Sequence, residues 1–176
     1  MSDSAIEFTL PDAEATDALG RALAASFLGN LSGGAGGGRP EGAVLHLRGD
    51  LGAGKTTCAR SLLRAFGVTG TIRSPTYTLV ETYELGFLTC VHVDLYRVAG
   101  EALAEELGLR DLPEPHDLVL IEWPEKGAGA VPPADLGLWL DYAPAGRSAR
   151  VVAFSARGRA WLANLRVDPS LHVGPR

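Results

Sequence analysis

Hydrophobic and polar positions repeat along the chain with two different periods, which predict strands and helices in alternation. Runs that are apolar throughout or at every second residue are typical of β-strands, and apolar residues three or four apart are typical of helices. This alternation predicts an α/β fold. The strand-like runs are 5–10, 43–48, 78–84, 87–93, 116–122, 135–143 and 149–156. The helix-like segments are 11–28, 55–66, 100–112 and 157–165.

Both kinds of strand pairing are expected in the sheet. Residues 118–121 are apolar at four consecutive positions, as expected of a strand that is buried on both faces in the parallel part of a sheet. Gly86 separates 78–84 from 87–93, and the short segment 144–148 separates the last two runs. Such connections are typical of antiparallel hairpins. The sequence therefore predicts a mixed parallel and antiparallel sheet.

The length of 176 residues suits one domain, which we predict to extend over residues 1–166. The Gly-rich stretch 32–39 predicts a flexible surface loop within this domain, and the tail 167–176, which contains two prolines and a glycine, is predicted to be disordered. No apolar run approaches the roughly 20 residues of a membrane span. The N-terminus lacks the pattern of a signal peptide, so we expect a cytoplasmic protein without membrane contact.

Charge and cysteine content narrow the class of partner and site. The net charge of −5 argues against a protein that holds nucleic acid by itself, because affinity for the phosphate backbone comes from clustered Lys and Arg. Nucleic acid is therefore expected to be reached through a partner. Cys58 and Cys90 have no second cysteine or histidine at zinc-ligand spacing and are predicted to be buried, reduced thiols.

A phosphate-binding pattern, G-x-x-x-x-G-K-[ST], lies between the strand-like run 43–48 and the helix-like segment 55–66. Its glycines let the backbone wrap a triphosphate closely, the lysine reaches the β- and γ-phosphates, and the threonine at its end completes the shell of a Mg²⁺ ion. The motif therefore predicts a site for ATP and Mg²⁺. Its predicted nucleotide-binding residues are Gly49, Asp50, Leu51, Gly52, Ala53, Gly54, Lys55, Thr56 and Thr57.

Chance is the alternative explanation of this pattern, since 22 glycines fill two of its four fixed positions easily. The lysine argues against chance. The chain has 14 arginines and two lysines, Lys55 and Lys126, so composition alone would have placed arginine at position 55. A strand before the motif and a helix after it further favour a true phosphate loop.

Two carboxylates follow strand-like runs and compete for the metal. Glu122 ends the apolar run 118–121, in the manner of a Walker B strand, and we assign it to Mg²⁺ together with Thr56. We assign Asp94 to orienting or deprotonating the attacking water, although pairing with Arg97 in a purely structural role is an equal alternative. His92 has apolar neighbours and is interpreted as a histidine of the core or sheet edge.

The turn 74–76 allows two interpretations. Ser74, Pro75 and Thr76 are, from the residues alone, most simply an ordinary turn before a strand. A threonine in the loop after the first helix is also where P-loop proteins often contact the γ-phosphate side of the nucleotide.

Five strings taken in order, GDLGAGKTT, SPTYTLVETY, HVDLYR, GLRD and IEWPEKG, resemble the bacterial TsaE family, the ATPases required for threonylcarbamoyladenosine modification of tRNA. The resemblance covers about residues 45–150. It implies a P-loop NTPase-like three-layer sandwich and an ATPase that works with the TsaB and TsaD proteins, which modify the adenosine beside the anticodon. It also implies that the tRNA is reached through that complex rather than directly.

The resemblance assigns roles residue by residue. It implies a switch-like segment at Ser74, Pro75 and Thr76, a requirement for Asp94 in hydrolysis, and a position near the site for Trp123. It places Arg147 near the nucleotide. The phosphate loop 49–57 and the metal residues Thr56 and Glu122 agree with the assignments made above.

The mechanism that we expect is hydrolysis of ATP by an in-line water, with Lys55 and the loop amides stabilising charge and Asp94 positioning the water. No arginine finger is visible in the motifs, so turnover is expected to be slow alone and stimulated by partners. A GTPase is disfavoured, because Lys126 does not provide the lysine of a guanine-recognition element. A small-molecule or nucleotide kinase and a nucleotide sensor without hydrolysis stay as alternatives.

Overall fold

The computed structural model describes residues 5–31, 41–98, 105–112, 117–127, 129–166 and 172–173. The Gly-rich loop predicted at 32–39 lies outside the described residues, as does most of the predicted tail 167–176. The strands are β1 Ala5–Leu10, β2 Ala43–Arg48, β3 Val80–Glu84, β4 Thr89–Asp94, β5 Asp117–Glu122, β6 Leu136–Ala143, β7 Gly146–Ala153 and β8 His172–Val173. The helices are α1 Ala13–Leu31, α2 Lys55–Ala65 and α3 Ala156–Ala163.

The strands form one sheet of eight in the order β3-β4-β5-β2-β6-β7-β1-β8. Strands β4, β5, β2 and β6 are parallel to one another. The remaining pairs, β3–β4 at one end of the sheet and β6–β7, β7–β1 and β1–β8 at the other, are antiparallel. The prediction of a mixed parallel and antiparallel α/β sheet is therefore confirmed. The hairpin predicted at Gly86 is β3–β4, and the segment 144–148 contains the turn of the hairpin β6–β7.

Helices α1, α2 and α3 cover one face of the sheet, where the larger hydrophobic core lies. Apolar residues from β2, β5 and β6, including Leu45, Leu120 and Leu138, contribute to this core. The other face carries a smaller core of Val44, Val91, Val119 and neighbouring residues, covered by segments near 95–98, 107–112 and 130–131. None of the described helices is long and apolar enough to span a membrane.

Helix α2 is held close to α1 by a glycine. A side-chain carbon added at Gly20 would lie 2.5 Å from the carbonyl oxygen of Cys58 in α2, so the two backbones touch at this point. The start of α1 is also fixed, because the amide of Ala15 donates to Oδ1 of Asp12 at 2.8 Å, as in an N-cap. The first turn of α2, which carries the phosphate-loop threonines, is thereby positioned against the core.

The boundaries differ from the predicted ones at two places that matter for the site. The strand predicted from residue 78 begins at Val80, because Leu79 has a φ of 64° and its amide bonds to the carbonyl of Pro75 at 2.6 Å in a turn. The strand predicted to end at 93 includes Asp94. The helix predicted at 100–112 lies partly outside the described residues, which show a 3-10 turn at Leu109–Asp111.

Candidate functional site

A cleft of about 330 Å³ opens where β2, β4 and β5 end, at the carboxyl edge of the parallel strands. This edge is where ligands bind in open α/β sheets. The cleft is lined by Leu51, Gly52, Gly54, Lys55, Thr56, Thr57, Ser74, Thr76, Asp94, Tyr96, Glu122 and Trp123. The structure therefore brings together the predicted phosphate loop, both predicted carboxylates, the switch-like segment and Trp123.

The phosphate loop connects β2 to α2 through three glycines in the left-handed region. Gly49, Gly52 and Gly54 have φ values of 130°, 79° and 111°. Gly54 is the N-cap of α2 and has no side chain, so no side-chain cap occupies the first-turn amides of this helix. Such a helix start attracts anionic oxygens through its free N–H groups and its dipole.

Lys55 is buried, with 4% of its surface exposed, and its ammonium lies inside the loop. Its Nζ donates to the carbonyls of Gly49 and Asp50 at 2.6 and 2.8 Å and lies 3.8 Å from the centroid of the Trp123 ring. Burial lowers the pKa of Lys55 below its usual value, although nearby carboxylates, Glu122 first among them, oppose this shift. A phosphate entering the loop would offer this cation a stronger partner than two carbonyls.

Glu122 is 2% exposed and uses both of its carboxylate oxygens. The hydroxyl of Thr56 donates to Oε2 at 2.8 Å, and Nε2 of His92 lies 2.9 Å from Oε1. Thr56 and Glu122 were the residues assigned to Mg²⁺, and the structure places their oxygens in contact. A hydroxyl and a carboxylate, completed by phosphate and water oxygens, form a donor set that suits Mg²⁺.

This donor set is small, as is usual for a Mg²⁺ site that is completed by phosphates. Within the residues that the structure describes, no three His, Cys, Asp or Glu side chains are grouped so that they could hold a metal ion alone. A metal held by protein alone is therefore not supported in this part of the chain. A Mg²⁺ shared between Thr56, Glu122 and a nucleotide fits the residues present.

Asp94 is held by the segment that precedes β3. The hydroxyl of Thr76 donates to its Oδ2 at 2.8 Å, the hydroxyl of Ser74 donates to the same oxygen, and the amide of Tyr96 donates to Oδ1 at 2.9 Å. The alternative of a structural ion pair with Arg97 is not what the structure shows, because the Arg97 guanidinium stacks 4.3 Å above the Tyr77 ring.

The β6–β7 hairpin holds the outer side of the phosphate loop. The hydroxyl of Tyr142 donates to the carbonyl of Leu51 at 2.9 Å, and Arg147 donates to the carbonyl of Gly52 at 3.3 Å. Tyr142 and Arg147 are directly opposite each other in the hairpin. Arg147 thus lies beside the loop, and its described contact is to the loop backbone.

Gly49 permits the close approach of the hairpin to the loop. A side-chain carbon at Gly49 would lie 2.0 Å from the carbonyl oxygen of Leu140 in β6, which is closer than atoms can pack. Three further predicted residues are not among those that line the cleft. Ala53 and Pro75 are buried, and Asp50 is an exposed residue whose carbonyl accepts from Lys55.

Comparisons with known proteins identify the family of the chain. The family model of the threonylcarbamoyl adenosine biosynthesis protein TsaE matches residues 10–150. The chain belongs to the TsaE family. It is 42% identical over 116 residues to a tRNA threonylcarbamoyladenosine biosynthesis protein TsaE of Haemophilus influenzae, covering 66% of this chain and 73% of that one.

A second relative and a solved structure extend this result. The Bacillus subtilis TsaE protein is 35% identical over 120 residues, or 68% of this chain and 73% of that one. The crystal structure of Bacillus subtilis YdiB is similar with a TM-score of 0.73 and 25% identity, covering 94% of this chain and 96% of that chain. The fold described above is therefore shared with an experimentally determined structure.

The segment matched by the TsaE family model contains every predicted site residue and also three that the sequence analysis did not assign to the site. These are His92, Tyr96 and Tyr142. The spacing of His92 could have indicated its place, because residues two apart in a strand point to the same face and Asp94 follows two positions later. Tyr142 gave no such signal, since its partner Leu51 is 91 residues away.

Proposed function

We propose that the protein is a Mg²⁺-dependent ATP hydrolase that supports threonylcarbamoyladenosine formation on tRNA together with the TsaB and TsaD proteins. The observation that carries this proposal is the pair of carboxylates beside the phosphate loop. Asp94 and Glu122 are register partners on adjacent parallel strands, but only Glu122 contacts the loop threonine, Thr56. One carboxylate is thus available for the metal and the other for water.

The residues of the cleft divide into those that bind ATP and those that promote its hydrolysis. The amides of the loop and of the first turn of α2 would bind the phosphates, with Lys55 and the Thr57 hydroxyl as further donors. Thr56 and Glu122 would hold Mg²⁺, which would supply positive charge to neutralise the phosphates. Asp94 would orient or deprotonate the attacking water.

The switch-like segment would report the state of the nucleotide to Asp94. Ser74 and Thr76 line the same cleft and already donate hydrogen bonds to Asp94. A γ-phosphate would compete for these two hydroxyls, so the presence of ATP rather than ADP would change how Asp94 is held. Segments ordered by the γ-phosphate and released on hydrolysis are a common switching device.

We propose slow turnover by the protein alone and stimulation by the TsaB and TsaD proteins. Among the described residues that line the cleft there is no arginine, and Arg147 is bonded to the loop carbonyl of Gly52. A positive charge supplied at the transferring phosphoryl group is worth a large rate factor in related chemistry. The tRNA would be reached through the partner complex, in the cytoplasm, consistent with the net charge of −5.

The decisive experiment measures phosphate release from ATP with and without TsaB, TsaD and tRNA. We expect stimulation by the complex, and we expect Lys55→Ala and Glu122→Ala to abolish it. Lys126→Ala is the matched control, because it removes the other lysine of the chain, which is exposed outside the cleft. Intact ATP binding without phosphate release in the full complex would instead favour a nucleotide sensor, and stoichiometric phosphorylation of an acceptor would favour a kinase.

A further inference from the structure

A buried histidine lies directly behind the carboxylate assigned to the metal. His92, on β4, has no exposed surface, and its Nε2 is 2.9 Å from Oε1 of Glu122, which is 2% exposed. A carboxylate that binds a metal is ionised and only accepts hydrogen bonds, so in the metal-binding state Nε2 would be the donor to Glu122. This buried side chain thus contacts the Glu122 carboxylate and does not itself line the cleft.

The two bonds to Glu122 together fix the orientation of its carboxylate. His92 of β4 contacts Oε1, and Thr56 of α2 contacts Oε2. Rotation of the carboxylate about its own axis would break both bonds. If the Thr56 hydroxyl turned to Mg²⁺, the bond from His92 would be the one that keeps Oε2 directed toward the cleft.

We propose that His92 is a positioning residue for the Mg²⁺·ATP site, which holds the Glu122 carboxylate in the orientation that binds the metal. This inference rests on the proposed function and extends it by one residue. Groups that hydrogen-bond to metal-ligating side chains orient those ligands, and their loss typically costs metal affinity or activity.

The second ring nitrogen of His92 supports a positioning role and argues against a proton relay. Nδ1 is buried and has no hydrogen-bond partner among the described residues. A relay needs a second group to receive the proton, and the described surroundings of Nδ1 provide none. Among the described residues, the ring thus makes one hydrogen bond, which is to Glu122.

Among the residues whose burial is described, a second buried histidine of the sheet, His46, offers a matched control. It lies on β2, is 5% exposed, and its Nε2 contacts the carbonyl of Pro132 at 3.0 Å. Replacing either histidine removes a buried ring from the same sheet. Only the His92 substitution removes a hydrogen bond to Glu122.

The experiment measures how much Mg²⁺ strengthens binding of a non-hydrolysable ATP analogue, by calorimetry with Mg²⁺ and with EDTA. For His92→Leu we expect this strengthening to fall by roughly 10-fold or more, with binding in EDTA unchanged. His92→Gln should recover part of the loss, because its amide can again donate toward Glu122. His46→Leu should bind like the wild type in both conditions.

A second set of variants tests whether the effect runs through the carboxylate. In a Glu122→Gln background, His92→Leu should cause no further loss of the Mg²⁺ effect, since the group that it positions is gone. Equal loss in both backgrounds would overturn the proposal. So would wild-type behaviour of His92→Leu, or a loss of the cooperative thermal transition in both His92→Leu and His92→Gln, which would assign His92 to folding alone.

The outcome for the proposed function is separate. If the wild-type protein binds the analogue equally with Mg²⁺ and with EDTA, the Mg²⁺-dependent site itself fails. If the wild type shows the Mg²⁺ effect and phosphate release while His92→Leu retains both in full, the proposed function stands and the role of His92 is wrong.

Discussion

Glu122 and Asp94 occupy equivalent positions on adjacent parallel strands and are opposite each other in register. Both are almost fully buried, at 2% and 3% exposure, and each accepts a threonine hydroxyl at 2.8 Å. The origin of the partners differs. Glu122 is bonded by Thr56 of α2 and His92 of β4, whereas Asp94 is bonded by side chains of the turn at 74–76.

We call Glu122 with Thr56 and His92 the fixed half of the site, and Asp94 with Ser74 and Thr76 the movable half. Thr56 and His92 belong to a helix and a central strand, whose displacement would disrupt the core. Ser74 and Thr76 belong to a turn, which can shift without breaking strand pairing. A metal needs constant ligands, and a nucleotide-sensing element needs a movable one, so the two carboxylates are suited to different tasks.

Asp94→Asn is expected to have the largest effect on activity. If Asp94 orients or deprotonates water, phosphate release should fall by roughly 100- to 10,000-fold, the usual range for a lost general base. Affinity for Mg²⁺·ATP should change little, because the fixed half is intact. Full activity of this variant would remove Asp94 from catalysis and place the base elsewhere.

Thr56→Val is expected to affect the fixed half. The substitution keeps the shape of the side chain but removes the hydroxyl that contacts Glu122. Hydrogen bonds to charged groups contribute about 1.5–3 kcal/mol, so Mg²⁺-dependent binding of ATP should weaken by roughly 10- to 100-fold. Calorimetry with Mg²⁺ and with EDTA checks this, and an equal loss in both conditions would contradict a metal role.

Thr76→Val is the matched change in the movable half and should have a smaller effect. Ser74 still donates to the same oxygen of Asp94, so one hydrogen bond is lost and one is kept. A loss of about 1.5 kcal/mol, the lower end of the range for hydrogen bonds to charged groups, lowers phosphate release about 10-fold. Binding of ADP should match the wild type. If Thr76→Val weakened ADP binding as much as Thr56→Val weakens Mg²⁺-dependent ATP binding, the two halves would not be separate.

His46 lies outside both halves of the site, and its substitution is expected to change the free energy of unfolding rather than activity. Burial lowers the pKa of His46 from 6.5 to about 4. Between these pH values the unfolded chain binds more protons, so the free energy of unfolding falls as pH drops from 6.5 toward 4, by roughly 3 kcal/mol in total. Denaturant titrations of His46→Leu should show a shallower pH dependence in this window, and an unchanged slope would contradict the assignment.

Much of the fold could be predicted from the sequence, because its signals are local. The run 118–121 is apolar on both faces and forms a central parallel strand, and Gly86 marks a hairpin. The loop between β2 and α2 could be predicted equally well, since its glycines, Lys55 and Thr56 form a motif of eight residues. Asp94 and Glu122 were recognised as candidates because each follows a strand-like run.

Contacts between residues that are far apart in the sequence could not be predicted in the same way. His92 looks like a core histidine until β4 and β5 are paired, and only then does its neighbour prove to be Glu122. The strand predicted from residue 78 begins only at Val80 because the backbone of Leu79 is left-handed, which a leucine does not signal. Tyr142 contacts the loop across 91 residues of sequence, a distance at which no spacing rule applies.

The contact between the hairpin and the phosphate loop joins two parts of the chain that are synthesised at different times. A growing chain that has reached residue 135 already contains the loop, both carboxylates and the switch-like segment, but not Tyr142 or Arg147. Their bonds to the carbonyls of Leu51 and Gly52 form only when β6 and β7 have joined the sheet. The side chains that brace the outer side of the loop are thus among the last parts of this region to be synthesised, long after the loop itself.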